Sequence, residues 1–261
     1  MIDAKHFFHV LAFVLGKLPD SLRKILFELL YLVYLLKFGK EKDYISERLK
    51  KANLQIKPKD VYKNLFFNGV DSLKFLQGRI GNLKFENWNL IPESPVIFVS
   101  IHLGAFEMLH RGLANAVESG ELRVESCVNL IVSEFRNKKL DEFLNSTRKT
   151  PNINIVKDTG ILKNVIRNKE ILAVMADQSK HGGENFEILG QSVPLFLKLP
   201  LTANRLGASI VLFRTFKKNG QHIIKVERVY APNTDINSEE IAGIFESWIL
   251  EYPEQWAWNY R

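Results

Sequence analysis

The sequence predicts an α/β domain with a largely parallel central sheet covered by helices, preceded by an N-terminal hydrophobic helical anchor. Three observations carry that prediction. Short apolar, β-branched runs fall at residues 96–101, 127–132, 153–157, 171–176, 209–216 and 222–229, and helical stretches at 105–117, 138–148, 160–168 and 196–206 separate most of them. Alternation of this kind marks βα units and a parallel sheet covered on its faces. The last two runs follow each other directly across Lys217-Lys-Asn-Gly220; Asn-Gly there marks a tight hairpin, so those strands are expected to be antiparallel. Finally, residues 1–43 hold two apolar segments that fit no strand pattern.

Taken in order, the first apolar segment covers residues 6–15 and is broken by Gly16, Lys17 and Pro19. Asp20-Ser21 can cap a second helix, whose apolar run spans residues 25–36 and is interrupted by Glu28. Neither run reaches the roughly 18 to 20 apolar residues that cross a bilayer. One lysine precedes the first run and no small-residue cleavage site follows it, which argues against a signal peptide. The expectation is an interfacial anchor over residues 1–43, lying on or dipping into one leaflet; the alternative is a soluble helical hairpin packed on the domain. Gly39-Lys-Glu-Lys-Asp43 returns the chain to water.

Residues 44–261 then read as the α/β domain with a helical preface. The preface is two amphipathic helices, one over residues 45–52 and one starting at Pro58, with Val61, Leu65, Phe66, Val70, Leu73, Phe75 and Leu76 at helical spacing. A final helix at 238–250 leads into an aromatic tail. There is no internal repeat and no low-complexity linker.

Composition narrows the function classes. At 261 residues and 46% hydrophobic content the chain can bury a sizeable core. A formal charge of +7 favours anionic partners such as a lipid headgroup surface or an acidic protein. Nucleic acid is disfavoured, because the aromatic residues sit inside apolar runs rather than among the basic ones. The single cysteine, Cys127, excludes an intrachain disulfide and a cysteine-based metal cluster; within its apolar run it reads as a buried, inert thiol.

The chemistry is expected around Val96-Ile-Phe-Val-Ser-Ile-His102-Leu-Gly-Ala-Phe-Glu107. This is a buried strand, a turn and a helix start, and open α/β sheets place their sites at the carboxyl ends of strands. On one straight helix His102 and Glu107 would stand roughly 140° apart. They can meet if His102 lies in the turn and Glu107 in the first helical turn. Glu107 would then hold one imidazole nitrogen while the other faces a substrate hydroxyl, a base with its orienting carboxylate. The second run ends at Ser133-Glu-Phe-Arg136 and the fourth at Met175-Ala-Asp177-Gln178. Asp177 and Gln178 are placed to bind substrate or to pair with Arg136. The glycine-rich stretch from His181 to Pro194 is read as a loop; it lacks the Gly-Lys-Ser/Thr of a phosphate loop. In the tail, Tyr252-Pro-Glu-Gln255-Trp256-Ala-Trp258-Asn-Tyr260-Arg261, the alternating tryptophans either pack on the sheet or meet a membrane interface.

These strings together resemble the bacterial lipid A biosynthesis (late) acyltransferase family, within the lysophospholipid acyltransferase-like superfamily. The points of resemblance are the strand, His-x4-Asp/Glu and helix; an Arg after the second strand; an Asp-Gln pair after a later one; the glycine-containing loop; and the Pro-Glu-Gln, aromatic, Trp ending, with Arg261 where the family carries a basic cluster. The resemblance implies His102 as base and Glu107 as its partner, with Arg136, Asp177 and Gln178 binding substrate or stabilising charge. It implies direct transfer from an acyl carrier protein thioester to a hydroxyl of a lipid A precursor or related anionic glycolipid, with no metal and no cofactor. It also implies attachment to the cytoplasmic face of the inner membrane. Two other outcomes stay open. One is coenzyme A-dependent acylation of a phosphatidylinositol mannoside or lysophospholipid. The other is a membrane-binding homologue that has lost turnover.

Overall fold

The computed structural model describes residues 10, 13–76, 83–93, 95–120, 128–132, 138–149, 152–157, 159–177 and 183–258. Within them the strands are β1 (Leu83–Glu86), β2 (Val96–Ser100), β3 (Val128–Ile131), β4 (Ile153–Val156), β5 (Ile171–Met175), β6 (Glu184–Ile188), β7 (Gln191–Leu195), β8 (Ser209–Lys218) and β9 (Gln221–Tyr230). The helices are α1 (Asp20–Lys51), α2 (Pro58–Leu76), α3 (Met108–Glu118), α4 (Lys138–Arg148), α5 (Leu162–Arg167), α6 (Lys198–Arg205) and α7 (Ser238–Glu251).

Seven strands form one sheet in the order β1-β9-β8-β2-β5-β3-β4, and β6 and β7 form a separate hairpin. Strands β8, β2, β5, β3 and β4 run the same way, while β9 and β1 run against them. The expected antiparallel turn is present at Asn219 and Gly220, with φ of 51° and 78°. Both are left-handed, as the two central residues of a type I′ turn require.

Central strands read as unbroken apolar runs because both faces are covered. Side chains alternate across the sheet: Ile97, Val99 and Ile101 join the core beneath α2, α6 and α7, while Val96 and Phe98 join the opposite core against α3. All five residues of β2 are buried. Its neighbours hold it in register, with Ser100 opposite Met175 of β5 and Val99 opposite Leu212 of β8.

Three expectations change and one open alternative is decided. The second apolar run and the helix expected at 45–52 are one continuous helix, α1, so the boundary drawn at residue 43 falls inside a helix. Lys and Glu at 40–42 are good helix formers, and Gly39 costs only about 1 kcal/mol, too little to stop the helix. Strand β1 was not anticipated; at four residues on a sheet edge it is too short for periodicity to reveal. The glycine-rich stretch read as a loop contains the β6–β7 hairpin, turned at Leu189 and Gly190 with φ of 52° and 67°. Finally, both tail tryptophans are core residues, Trp256 at 2% and Trp258 at 0% exposure. Cys127 and most of the first apolar segment lie outside the described residues. No helix among the described residues is long and apolar enough to cross a membrane.

Candidate active site

The site follows from strand register. Ser100 ends β2 opposite Met175, which ends β5. Two residues further along each parallel strand come His102 and Asp177, so the two side chains emerge together at the carboxyl edge. The Ala176 N–H donates to the Ser100 carbonyl at 2.7 Å and continues the ladder to that point.

There the His102 ring Nδ1 lies 2.7 Å from Asp177 Oδ1. The main-chain N–H of His102 donates to both Asp177 oxygens, at 3.1 and 3.0 Å. The indole N–H of Trp256 donates to Oδ2 at 3.0 Å. Asp177 is 2% exposed, so its charge is held by N–H groups rather than by water. A carboxylate accepting from Nδ1 selects the tautomer with the lone pair on Nε2, the ring nitrogen on the far side from Asp177. The imidazole and the Phe106 ring meet edge to face, with ring centroids 4.5 Å apart.

The turn carrying His102 is fixed at several points, which suits a group that must be placed before substrate arrives. Gly104 has φ +59°, and a Cβ there would lie 2.6 Å from the Thr215 carbonyl oxygen. Its close approach to β8 therefore requires glycine. The tail holds the same turn from the other side: Gly104 N–H donates to the Gln255 carbonyl at 3.0 Å, and Ala257 N–H to the His102 carbonyl at 3.2 Å. Thr215 Oγ1 donates to the Leu103 carbonyl at 2.5 Å. Arg48 of α1 braces the tail in turn, with bonds of 3.1 Å to the Trp258 carbonyl and 2.6 Å to Gln191 Oε1. Burial pushes the Arg48 guanidinium below its usual value.

Glu107 does something other than expected. It lies just before α3 and forms a two-pronged ion pair with Arg148, the last residue of α4, through Nη2 to Oε1 and through Nε to Oε2, the latter at 2.9 Å. Burial works against the charge on Arg148, but Glu107 outweighs it and holds the guanidinium above its usual value. The expectation that Glu107 orients His102 is therefore corrected: the carboxylate on Nδ1 belongs to Asp177. The reason is that Glu107 stands past the turn and faces α4, whereas Asp177 arrives on the adjacent strand.

Arg136 and Gln178 lie outside the described residues, as does His181. Among the described residues, no group of three or more His, Cys, Asp and Glu side chains is placed to hold a metal ion. Sequence reasoning missed Trp256 as a contact of the site, although its motif was noted. It missed Arg148 altogether, because an arginine at a helix end carries no local sign of its partner.

These elements define an α/β protein with a histidine–carboxylate pair at the carboxyl ends of neighbouring parallel strands. No family model matches the chain, and no curated protein matches it. Among solved structures it is similar to the 1-acyl-sn-glycerophosphate (LPA) acyltransferase, PlsC, from Thermotoga maritima, at 12% identity and a TM-score of 0.42, over 88% of this chain and 94% of that one.

Proposed function

We propose that this chain is a membrane-associated acyltransferase that moves a fatty acyl group from an acyl carrier protein thioester to a hydroxyl of a lipid A precursor or related anionic glycolipid. The observation that carries the reading is His102 held at Nδ1 by buried Asp177, at the edge of the sheet where substrates of such folds bind. The family resemblance of the His-x4-Glu and tail strings supports it.

In this reaction Nε2 of His102 takes the proton from the acceptor hydroxyl as its oxygen attacks the thioester carbonyl. The tetrahedral intermediate collapses, expelling the thiolate, and His102 returns the proton to the sulfur. One ester bond forms, one thioester bond breaks, and a free thiol leaves. Asp177 keeps the ring in the productive tautomer and steadies the imidazolium. The direct test incubates the purified chain with acyl-carrier protein and glycolipid acceptor and reads the lipids by mass spectrometry. Mass gain on the glycolipid is expected. Transfer only from acyl-coenzyme A to a lysophospholipid would replace the substrates named here, and no transfer to any acceptor would leave a membrane-binding homologue.

Trp256 is a positioning residue in this scheme, since its indole N–H holds Asp177 at Oδ2 while the His102 ring meets Oδ1. Trp256→Phe keeps most of the packing and removes that bond. It is expected to lower kcat by about 10-fold, in line with one charge-assisted hydrogen bond, while leaving KM unchanged. A kcat equal to wild type would show that the indole only fills space.

Attachment to a membrane surface fits α1. Leu22, Ile25, Leu29, Leu32, Val33 and Leu36 are all exposed, and Leu36 reaches 89%. Their spacing places them along one stripe of the helix, and Lys24 and the overall charge of +7 suit an anionic interface. Replacing Ile25 and Leu29 together with Glu is expected to weaken sedimentation with anionic vesicles at least about 10-fold, from lost apolar burial and added repulsion. Unchanged co-sedimentation would place the contact elsewhere.

A further inference from the structure

A second polar site lies between the helical preface and the β8–β9 turn. A cleft of about 760 Å³ opens there, with Arg23 of α1, Lys74 of α2 and Lys217 and His222 of the hairpin in its wall. All four converge on one carboxylate, Asp71: Lys217 Nζ at 2.7 Å, His222 Nε2 at 3.0 Å, Lys74 Nζ at 3.6 Å and Arg23 Nη1 at 3.8 Å. Three cationic side chains and His222 thus converge on one half-buried carboxylate. Asp20 reaches Arg23 from the solvent side at 3.1 Å, with its own side chain 78% exposed. Lys24, Lys63, Asp60 and Glu254 also line the cleft. The lining holds five Lys and Arg side chains against four Asp and Glu, and so keeps one net positive charge.

Two buried polar groups in the same wall are unsatisfied. Asn68 is 3% exposed, and among the described residues neither its amide nitrogen nor its oxygen has a hydrogen-bond partner, nor has His222 Nδ1. Folded proteins rarely leave such groups unmade, and their presence in a cleft marks a place a ligand can complete. The titration behaviour agrees. Burial pushes the Asp71 carboxyl up, but hydrogen bonds from His222 and Lys217 outweigh it and hold it well below the usual carboxylate range. Burial first, and then the charge of Arg23, push the Lys74 ammonium down, against the pull of Asp71 and Asp20.

We infer that this cleft binds a phosphoryl group, with Lys74, Lys217 and Arg23 neutralising it and the Asn68 amide and His222 Nδ1 bonding to its oxygens and hydroxyl. A phosphate suits the set because it presents several acceptors to the cations and, as a monoester, a P–OH donor to Nδ1. The cleft is also larger than one phosphate needs, which leaves room for the group it esterifies. It neighbours the candidate active site: Met108 in its wall follows Glu107, and the main chain of Lys217 is clamped by the Gln255 side chain at 2.8 and 2.9 Å, whose carbonyl holds Gly104. The inference stands on the cleft's own residues and does not depend on the acyl-transfer reading, because its test reads binding and not turnover.

The test is thermal unfolding of the full chain against inorganic phosphate, with potassium chloride at matched ionic strength as reference, followed by co-sedimentation with phosphatidylcholine vesicles with and without phosphatidic acid. Wild type is expected to show a saturable phosphate-dependent rise in Tm beyond the chloride effect. Lys74→Ala and Lys217→Ala should weaken the apparent affinity at least tenfold, whereas Lys50→Ala, on the exposed face of α1, should leave it unchanged. Asn68→Leu should raise Tm without phosphate, since it removes an unsatisfied buried amide, and should abolish the phosphate response. If Lys74→Ala and Lys217→Ala also reduce the gain from phosphatidic acid, the phosphoryl group belongs to a lipid headgroup; if they change only the response to free phosphate, it belongs to a soluble ester. A wild-type response no greater than chloride, or an equal response in Lys74→Ala and Lys217→Ala, would overturn the inference.

Discussion

Asp177→Asn lowers kcat by about 10²- to 10⁴-fold while the fold stays intact, and His102→Ala lowers it at least as far. The two should behave as one unit, so that the double variant is little worse than either alone. The asparagine retains size and burial but can present its NH2 to Nδ1, which selects the wrong tautomer and leaves Nε2 protonated. The three other bonds to Asp177, two from the His102 main chain and one from Trp256, hold the carboxylate and not the ring. Steady-state transfer assays on the purified variants, with circular dichroism to confirm folding, give the answer. An Asp177→Asn enzyme within fivefold of wild type would show that the pair at 2.7 Å is structural.

Glu107→Gln is expected to act mainly on stability, by roughly 3 kcal/mol. The substitution withdraws the carboxylate from Arg148, whose side chain is only 7% exposed, and a buried guanidinium without its counter-charge is costly. Arg148→Met should be similarly damaging. The double variant Glu107→Gln with Arg148→Met should recover much of the loss, because removing both charges also removes both desolvation costs. Urea unfolding of the four proteins closes this cycle. Turnover by Glu107→Gln, at temperatures where it is folded, should stay within about 10-fold of wild type. A collapse of kcat with unchanged stability would return Glu107 to the chemistry.

The contrast between these two carboxylates shows why the candidate site was only half legible. His102 is readable because a polar residue just past a buried apolar strand stands out against its neighbours. Glu107 draws attention for the same local reason, five positions later. Spacing along the chain, however, does not say which way a side chain faces once the turn tightens, and Glu107 faces α4. Asp177 was singled out at a strand end, but as a substrate ligand; its role depends on which strand lies beside β2. The tail was legible as a string and not as a structure. Gln255, Trp256 and Ala257 each hold a different atom of the site, Gly104, Asp177 and His102 in turn, from far along the sequence.

What the sequence by itself determined was everything carried by local pattern. Apolar runs with helical stretches between them dictate a covered parallel sheet, Asn219-Gly220 dictates the antiparallel return, and the strand–turn–glycine string around His102 dictates a site at a strand end. Each rests on periodicity or on backbone preference within a few residues. Only the tertiary structure decided the strand order β8-β2-β5 and the register of Ser100 against Met175. Those two facts bring Asp177 to His102, and the packing of helices, hairpin and tail sends Glu107 to Arg148, seats Trp256 on the carboxylate and gathers Arg23, Lys74, Lys217 and His222 around Asp71. The physical reason is that any of the parallel strands can satisfy β2's hydrogen bonds equally well. The choice among them is made by how both faces of the whole sheet pack against the helices, a sum over residues far apart in the chain.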